Sequence, residues 1–352
     1  MSNLHERPGV YSVYDTSSVV SGGRAARTIG VAARAAQGTA DKPVTVTGWA
    51  AGASVFGEDP AAGMSIILRL LFENGASTVT AVRVAEEGTV EDYQRAFAAL
   101  GKEDAQVLVC DSGEAEVHKA LRSAVEEASS LRRERIAVVG CAGAEASELV
   151  DRAEQLNSER MVLVGPDALD GAGKPLSGVF AAAAVAALAA TGGDPAIPLN
   201  GAKLKGLTGL SADYGDNDVD LLVRGGVTPL ECVAGTVSPV RGITTRTKTG
   251  GVGDATWREL TTVLIVDDVI PAVRAALRSK FSRSKNNPRS RAAIRSQVIV
   301  ELEKKMAAEL IDGYDGVTVS ASPEDPTVCL VEFGFSVAHG LNQIHLSVHI
   351  EI

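Results

Sequence analysis

Aromatic residues are scarce in this chain of 352 residues: Phe, Trp and Tyr together make up 4% of it. That leaves few rings on which nucleic-acid bases could stack. A net charge of −10 also argues against nucleic acid as the partner of the whole protein. Cysteine is equally sparse. Cys110, Cys141, Cys232 and Cys329 stand far apart and none forms a CxxC pair, so neither a zinc knuckle nor a dithiol redox motif is present, and reduced thiols are expected. No apolar run is long enough for a bilayer. The longest, Val179 to Ala190, has 12 residues, against the roughly 20 a spanning helix needs, and reads as a buried Ala-rich helix. Met1 to Tyr11 has no apolar centre of the kind a signal peptide requires.

The motifs of catalysis are also missing. There is no GxxxxGK(S/T) phosphate loop and no GxSxG nucleophile elbow. Gly140 and Gly143, in VVGCAGAEAS, could bring backbone amides to a phosphate at a helix start, but their spacing is not the dinucleotide fingerprint and suits a tight strand-to-helix turn better. Gly250, Gly251 and Gly253 read as a flexible loop. The five histidines make no metal site. His345 and His349 lie on one strand about 13 Å apart, His118 has no second ligand at helical spacing, and His339 sits in a turn. The run Asp213, Asp216, Asp218, Asp220 lacks the closing Glu of a calcium loop and reads as a solvated loop. No catalytic residue, cofactor site or metal site is assigned.

What the chain has is Ala, Gly and an alternation of short apolar strands with helices. Strands are expected at Arg27 to Ala33, Val44 to Trp49, Thr78 to Val84, Gln106 to Cys110, Arg135 to Gly140 and Arg160 to Gly165. Helices are expected at Met64 to Phe72 (closed by Asn74-Gly75), Glu114 to Ser129, Ala144 to Asn157 and from Val179. This order implies a mostly parallel sheet with helices on its faces. Four segments follow: an extended arm over residues 1–22, an α/β domain over 23–240, an α+β domain over 241–340 and a terminal strand over 341–352. In the α+β part, Gly242 to Lys248 and Trp257 to Val266 read as strands. Val269 to Phe281 reads as a helix with Pro271 in its first turn, and Pro288 begins a helix reaching Ile311. Val317 to Ala321 and Val328 to Val337 read as strands.

Two features point to assembly. From Gln343 to Ile352 polar and apolar residues alternate without a slip, with Ile344, Leu346, Val348, Ile350 and Ile352 on one face. An unpaired strand of that length is an aggregation hazard, so it is expected to pair, within its domain or with another copy. Secondly, Arg274 to Lys305 holds ten Lys or Arg against Glu301 and Glu303, about +8, leaving about −18 on the rest. Such asymmetry suits complementary surfaces.

Several stretches, in order, resemble the sheath proteins of contractile phage tails and tail-like particles. RPGVYSVYDTSS (Arg7 to Ser18) is similar to the family's opening. KPVTVTGWAAGASVFGEDP (Lys42 to Pro60), followed by LRLLFENGASTVTAVRV (Leu68 to Val84), is the most specific part. LNGAKLKGLTGL (Leu199 to Leu210), VDLLVRGGVTPLE (Val219 to Glu231), VRGITTRTK (Val240 to Lys248) and WRELTTVLIVDDVI (Trp257 to Ile270) continue the series. The family pattern often carries Arg where Val266 stands.

The resemblance implies a subtilisin-like α/β domain without protease chemistry and a subunit that is not an enzyme. It implies stacking as six-membered rings or a six-start helix around a rigid tube, with tube, baseplate and tail-terminator proteins as partners. It implies neither direct nucleic-acid binding nor membrane insertion, and a place in the tail sheath of a particle made in the bacterial cytoplasm. Arms around Val10, Tyr11, Ser12, Val13 and Tyr14 and around the terminal strand would add to sheets of neighbouring subunits. Lys280, Arg283, Lys285, Arg289, Arg291 and Arg295 would meet the tube or a neighbour. The alternative is a cytosolic α/β enzyme binding a nucleotide or sugar phosphate near Gly140 to Gly143.

Overall fold

Every second residue of the central strands faces the same way, and both faces are buried. The computed structural model of the chain describes residues 27–59, 62–143 and 145–342. Its main sheet contains β1 (Ile29–Arg34), β2 (Pro43–Val46), β3 (Val79–Val84), β4 (Val107–Cys110), β5 (Ile136–Gly140) and β6 (Met161–Gly165). Val107 and Val109 of β4 join one core, while Leu108 and Cys110 join the other. Ile136 and Val138 of β5 divide from Ala137 and Val139 in the same manner. Strands buried on both sides need helices on both sides.

Those helices are α1 (Trp49–Phe56), α2 (Gly63–Glu73), α3 (Val90–Leu100), α4 (Ala115–Ser130) and α5 (Ala146–Leu156). Beyond β6 come β7 (Ala168–Asp170), β8 (Pro175–Leu176), α6 (Gly178–Thr191), β9 (Leu207–Leu210), α7 (Asp216–Arg224), β10 (Val227–Val233) and β11 (Thr236–Pro239). The large sheet runs β11-β10-β6-β5-β4-β1-β3-β2. It is parallel from β10 to β3, and the edges β11 and β2 are antiparallel. Residues of α1, α2 and α6 fill one face, and α3, α4, α5 and α7 cover the other. A three-layer α/β body is therefore present, as the strand–helix alternation predicts.

The Ala-rich α6 shows why small residues are needed. A Cβ on Gly140 would stand 2.1 Å from the Gly178 carbonyl oxygen, and one on Gly178 would stand 2.7 Å from that of Cys141. Helix and strand touch backbone to backbone there, and eleven residues of α6 are buried.

The remainder comprises β12 (Lys248–Thr249), β13 (Val252–Gly253), α8 (Leu260–Phe281), α9 (Pro288–Ala307), β14 (Gly313–Ala321) and β15 (Cys329–Ser336). Leu260, Val263 and Leu264 of α8 lie in the core under the large sheet. Ile265, Val269, Val273 and Leu277 form a third core with Val298 and Leu302 of α9 and Val317 of β14. One helix thus serves two cores. Asp267 takes the Arg160 guanidinium at 2.7 and 2.5 Å. Adjacent Asp268, fully buried, is paired with Lys305 of α9. Glu134, before β5, holds Arg274 at 2.7 Å.

Several expectations are corrected. Trp257 to Val266 is not a strand: α8 starts at Leu260, and Pro271 lies in its interior. The run Thr262 to Val266 is buried all round, so no polar face displays the helical period, and its β-branched residues imitate a strand. The stretch expected as a strand at Gly242 to Lys248 has only a bridge of Ile243 to Glu259 before Lys248 opens β12. Buried Thr244 and Thr245 hold it instead, their hydroxyls donating to the Trp257 (2.7 Å) and Ser158 (3.0 Å) carbonyls. The expected strand at Val44 to Trp49 stops at Val46, and Trp49 opens α1. Helix α9 stops at Ala307, where Glu309 turns left-handed (φ 53°) and sends Leu310 and Ile311 inward. Asp213 precedes α7, but Asp216, Asp218 and Asp220 belong to that helix and not to a loop, with Asp216 and Asp218 in its first turn. Gly250 and Gly251, at φ 58° and 83°, are the two-residue turn of the β12–β13 hairpin.

Replacing Gly140 by Ala sets a methyl group against backbone that has no rotamer to yield. The expected loss is about 1–3 kcal/mol or more, read as a lower melting temperature by circular dichroism; an unchanged melt would refute the close approach.

Candidate functional site

In an open α/β sheet, ligands bind where the strand order reverses, at the carboxyl ends of the strands. Here the chain places β3 on one side of β1 and β4 on the other, so the crevice lies between β1 and β4. The protein's own side chains fill it. Asp111, directly after β4, accepts from the Tyr93 hydroxyl at 2.5 Å and from the Arg34 backbone N–H at 3.1 Å and Nε at 3.3 Å. A Cβ on Gly63, at the start of α2, would stand 2.3 Å from the Asp111 carboxylate, so that helix closes the crevice from above. Burial, then the Asp111 charge, push the Tyr93 phenol up, which keeps it a donor.

The phosphate site considered at Gly140 to Gly143 is filled in the same way. The Gly143 amide donates to Asp167 Oδ2 at 3.1 Å, and the first amide of α6, Gly178, donates to Asp167 Oδ1 at 2.5 Å. A carboxylate of the chain already occupies the place an anion would take. Asp167 was not singled out in the sequence; its position two residues after an apolar strand is the signal that marks it.

His118 of α4 is fully buried, with Nε2 donating to the Ser112 carbonyl at 2.8 Å and Nδ1 unpaired. Burial pushes the imidazole down to about 4, and Arg152 nearby adds to that. Among the described residues no three His, Cys, Asp or Glu are grouped to hold a metal ion. The aspartates of α7 serve the helix: Asp218 accepts from the Gly215 amide at 3.3 Å and Asp220 pairs with Arg224 at 2.6 Å.

Surfaces for assembly are more prominent. Strands β14 and β15 form a separate two-stranded antiparallel sheet, paired from Gly313–Ser336 to Ala321–Cys329 with a shift of register between Asp315 and Thr318. Helix α9 packs on β14, and no further strand pairs with either edge among the described residues. The basic segment runs along the end of α8, the connecting turn and α9. Lys280 donates to Gln297 (2.5 Å), Arg291 to Asn286 (2.9 Å) and Arg295 to the Val317 carbonyl (2.9 Å), so these three support the fold locally. Arg283, Lys285 and Arg289 are exposed and make no ion pair among the described residues. The expected arm residues, Val10 to Tyr14 and Ile344, Leu346, Val348, Ile350 and Ile352, lie outside the described residues.

The chain matches the phage tail sheath protein central domain over residues 86–245 and the phage tail sheath C-terminal domain over residues 253–351. A tail sheath protein of Bacillus phage SP01 is 27% identical over 258 residues, which cover 71% of this chain and 44% of the relative. The chain therefore spans less than half the length of that curated relative. Among solved structures, the contracted helical sheath of the anti-feeding prophage superimposes with a TM-score of 0.74 at 16% identity, covering 99% of this chain and 100% of that one. A sheath tail protein of Desulfitobacterium hafniense gives 0.71 at 12% identity over 94% and 100%. The contracted sheath complex of an extracellular contractile injection system gives 0.65 at 16% over 100% and 99%. At these identities the structural likeness establishes the fold. No helix among the described residues is long and apolar enough to cross a membrane.

His118 generates a pH prediction. The ring stays neutral in the folded chain down to about 4, whereas an unfolded histidine takes its proton near 6.5. Stability present above pH 6.5 is therefore lost as pH falls towards 4, by on the order of 3 kcal/mol. In His118→Gln the melting temperature should fall less across that window than in the wild type. Equal slopes for both proteins would assign the acid sensitivity elsewhere.

Proposed function

The chain belongs to the phage tail sheath protein family, and from that premise we propose how it works: it polymerises around a rigid tail tube by exchanging terminal strands between subunits. Contraction of the resulting sheath then drives the tube through a target envelope. The observation that carries this is the β14–β15 sheet, whose two strands have no further strand on either edge among the described residues. Two strands alone are marginal, and an open edge is a template for another strand. Residues 343–352 supply a segment with the required alternation, and the segment around Val10 to Tyr14 supplies a second. Main-chain hydrogen bonds would give such a joint its strength, and alternate side chains its register.

The subtilisin-like description of the α/β body, the hexameric stacking and the tube, baseplate and terminator partners belong to the same proposal. Contraction requires two packed arrangements with the contracted one lower in energy. Subunits linked by strands can rotate and repack without separating. The enzyme alternative is not retained, because Asp167 and Asp111 occupy the two places where a ligand would bind.

Removing residues 343–352 should leave a folded chain, with an unchanged melt, that no longer forms tubes in negative-stain microscopy. Tubes of normal length from the truncated chain would refute the strand-exchange proposal. A second test addresses the basic segment: Arg283→Glu, Arg289→Glu and Arg291→Glu together should lower the yield of extended particles when the tube protein is co-expressed. Normal extended particles would remove that segment from tube or neighbour contacts.

A further inference from the structure

Strand β5 is flanked by loops of opposite charge. On the amino side, Arg132, Arg133 and Arg135 precede β5 against one acid, Glu134, and Lys102 stands with Glu103 and Asp104 before β4. On the carboxyl side, exposed Glu114 follows β4 and exposed Glu145 follows β5, with exposed Glu86 and Glu87 after neighbouring β3. The segments 85–91, 111–118 and 141–148 contain no Lys or Arg. Because these strands are parallel, the two sets lie at opposite ends of one body; of the cations near the acidic end, Arg34 is held by Asp111 and Arg152 lies near Cys141.

The basic end is hollow. A cavity of about 570 Å³ is lined by Arg27, Lys102, Arg132, Arg133 and Arg135, among others. Two of its acids are already matched, Glu134 by Arg274 and Asp267 by Arg160. Glu103 and Asp104 share the rim, Asp104 accepting from Gln106 at 2.6 Å. Arg135, 3% exposed, donates to the carbonyls of Leu100 (3.1 Å), Glu103 (3.2 Å) and Arg133 (3.3 Å), with no carboxylate hydrogen-bonded to it among the described residues. Leu131, 62% exposed, stands beside this rim.

Service to the helix dipoles accounts for only half of this pattern. Acids at helix starts are stabilising, and cations belong in the last turn. Neither α3 nor α4 carries a basic residue in its last turn; their cations stand in the loops beyond, around the cavity.

We propose that the chain docks head to tail on a second copy of itself, with the acidic loops of one body (Glu87, Glu114, Glu145) seated on the basic cavity (Lys102, Arg132, Arg133) of the next. The inference rests on the sheath reading and adds to strand exchange a contact between bodies. Such a contact joins different patches on each partner, so it propagates into an open or ring-shaped assembly and does not stop at a dimer. Its charges are solvent-facing, so salt weakens it.

The test uses two triple variants of the full chain: Lys102→Glu with Arg132→Glu and Arg133→Glu, and Glu87→Lys with Glu114→Lys and Glu145→Lys. Each alone should keep a native melt and lose about tenfold or more of its pelletable assembly near 0.15 M salt. Mixed one to one they should assemble again, since each end then meets an opposite charge. Rescue by mixing is not expected of a merely structural defect. If wild type forms tubes and either triple variant alone does so equally well, or if the mixture stays small, the head-to-tail contact is refuted while the sheath reading stands. A wild-type chain that stays small with and without tube protein would refute both together.

Discussion

Helix α8 is the constraint on which the rest of the structure depends. Its first turns are buried under the large sheet and its later turns in the core shared with α9 and the β14–β15 sheet. Two successive aspartates at the crossing face different units: Asp267 meets Arg160 before β6, and Asp268 meets Lys305 of α9. A buried ion pair is a weak source of net stability, but breaking one by removing a partner typically costs about 3–5 kcal/mol. The pairs therefore favour one relative position of the two units, and a sheet attached through α9 inherits that position.

The same economy of space governs the α/β body. An open parallel sheet leaves a crevice at its carboxyl ends, and enzymes of this architecture use it. In this chain the crevice is filled by Asp111, Tyr93 and Arg34, and the amides at the start of α6 are taken by Asp167. Buried polar groups satisfied by one another make a stiff body. A sheath subunit, which transmits force through its contacts, is served by stiffness within and by chemistry at its surface.

That surface has two kinds of device. Open strand edges on β14 and β15 offer directional hydrogen bonds, and the opposite charges at the two ends of β5 offer attraction that tolerates small shifts in geometry. The proposed strand exchange uses the first, and the proposed contact between bodies uses the second.

Much of this was legible in the residues. The strand–helix alternation from Thr78 to Ala190 and the Asn74-Gly75 stop depend on short-range pattern and appear in the structure within a few residues of their expected places. The family, too, could be read from the order of motifs between Lys42 and Ile270. Legibility failed where tertiary surroundings replaced local pattern. Thr262 to Val266 is buried on all sides, so a helix there shows no period. The run at Asp213 to Asp220 is solvated as expected, but it reads as a loop until α7 is seen beginning within it. The sequence by itself determined the composition, the periodicities and the sheath resemblance, because each depends on neighbours along the chain. Only the tertiary structure decided which carboxylates are used up, at Asp111, Asp167 and Asp267, and which charges remain at the surface, because pairing between residues distant in sequence depends on where the folded backbone places them.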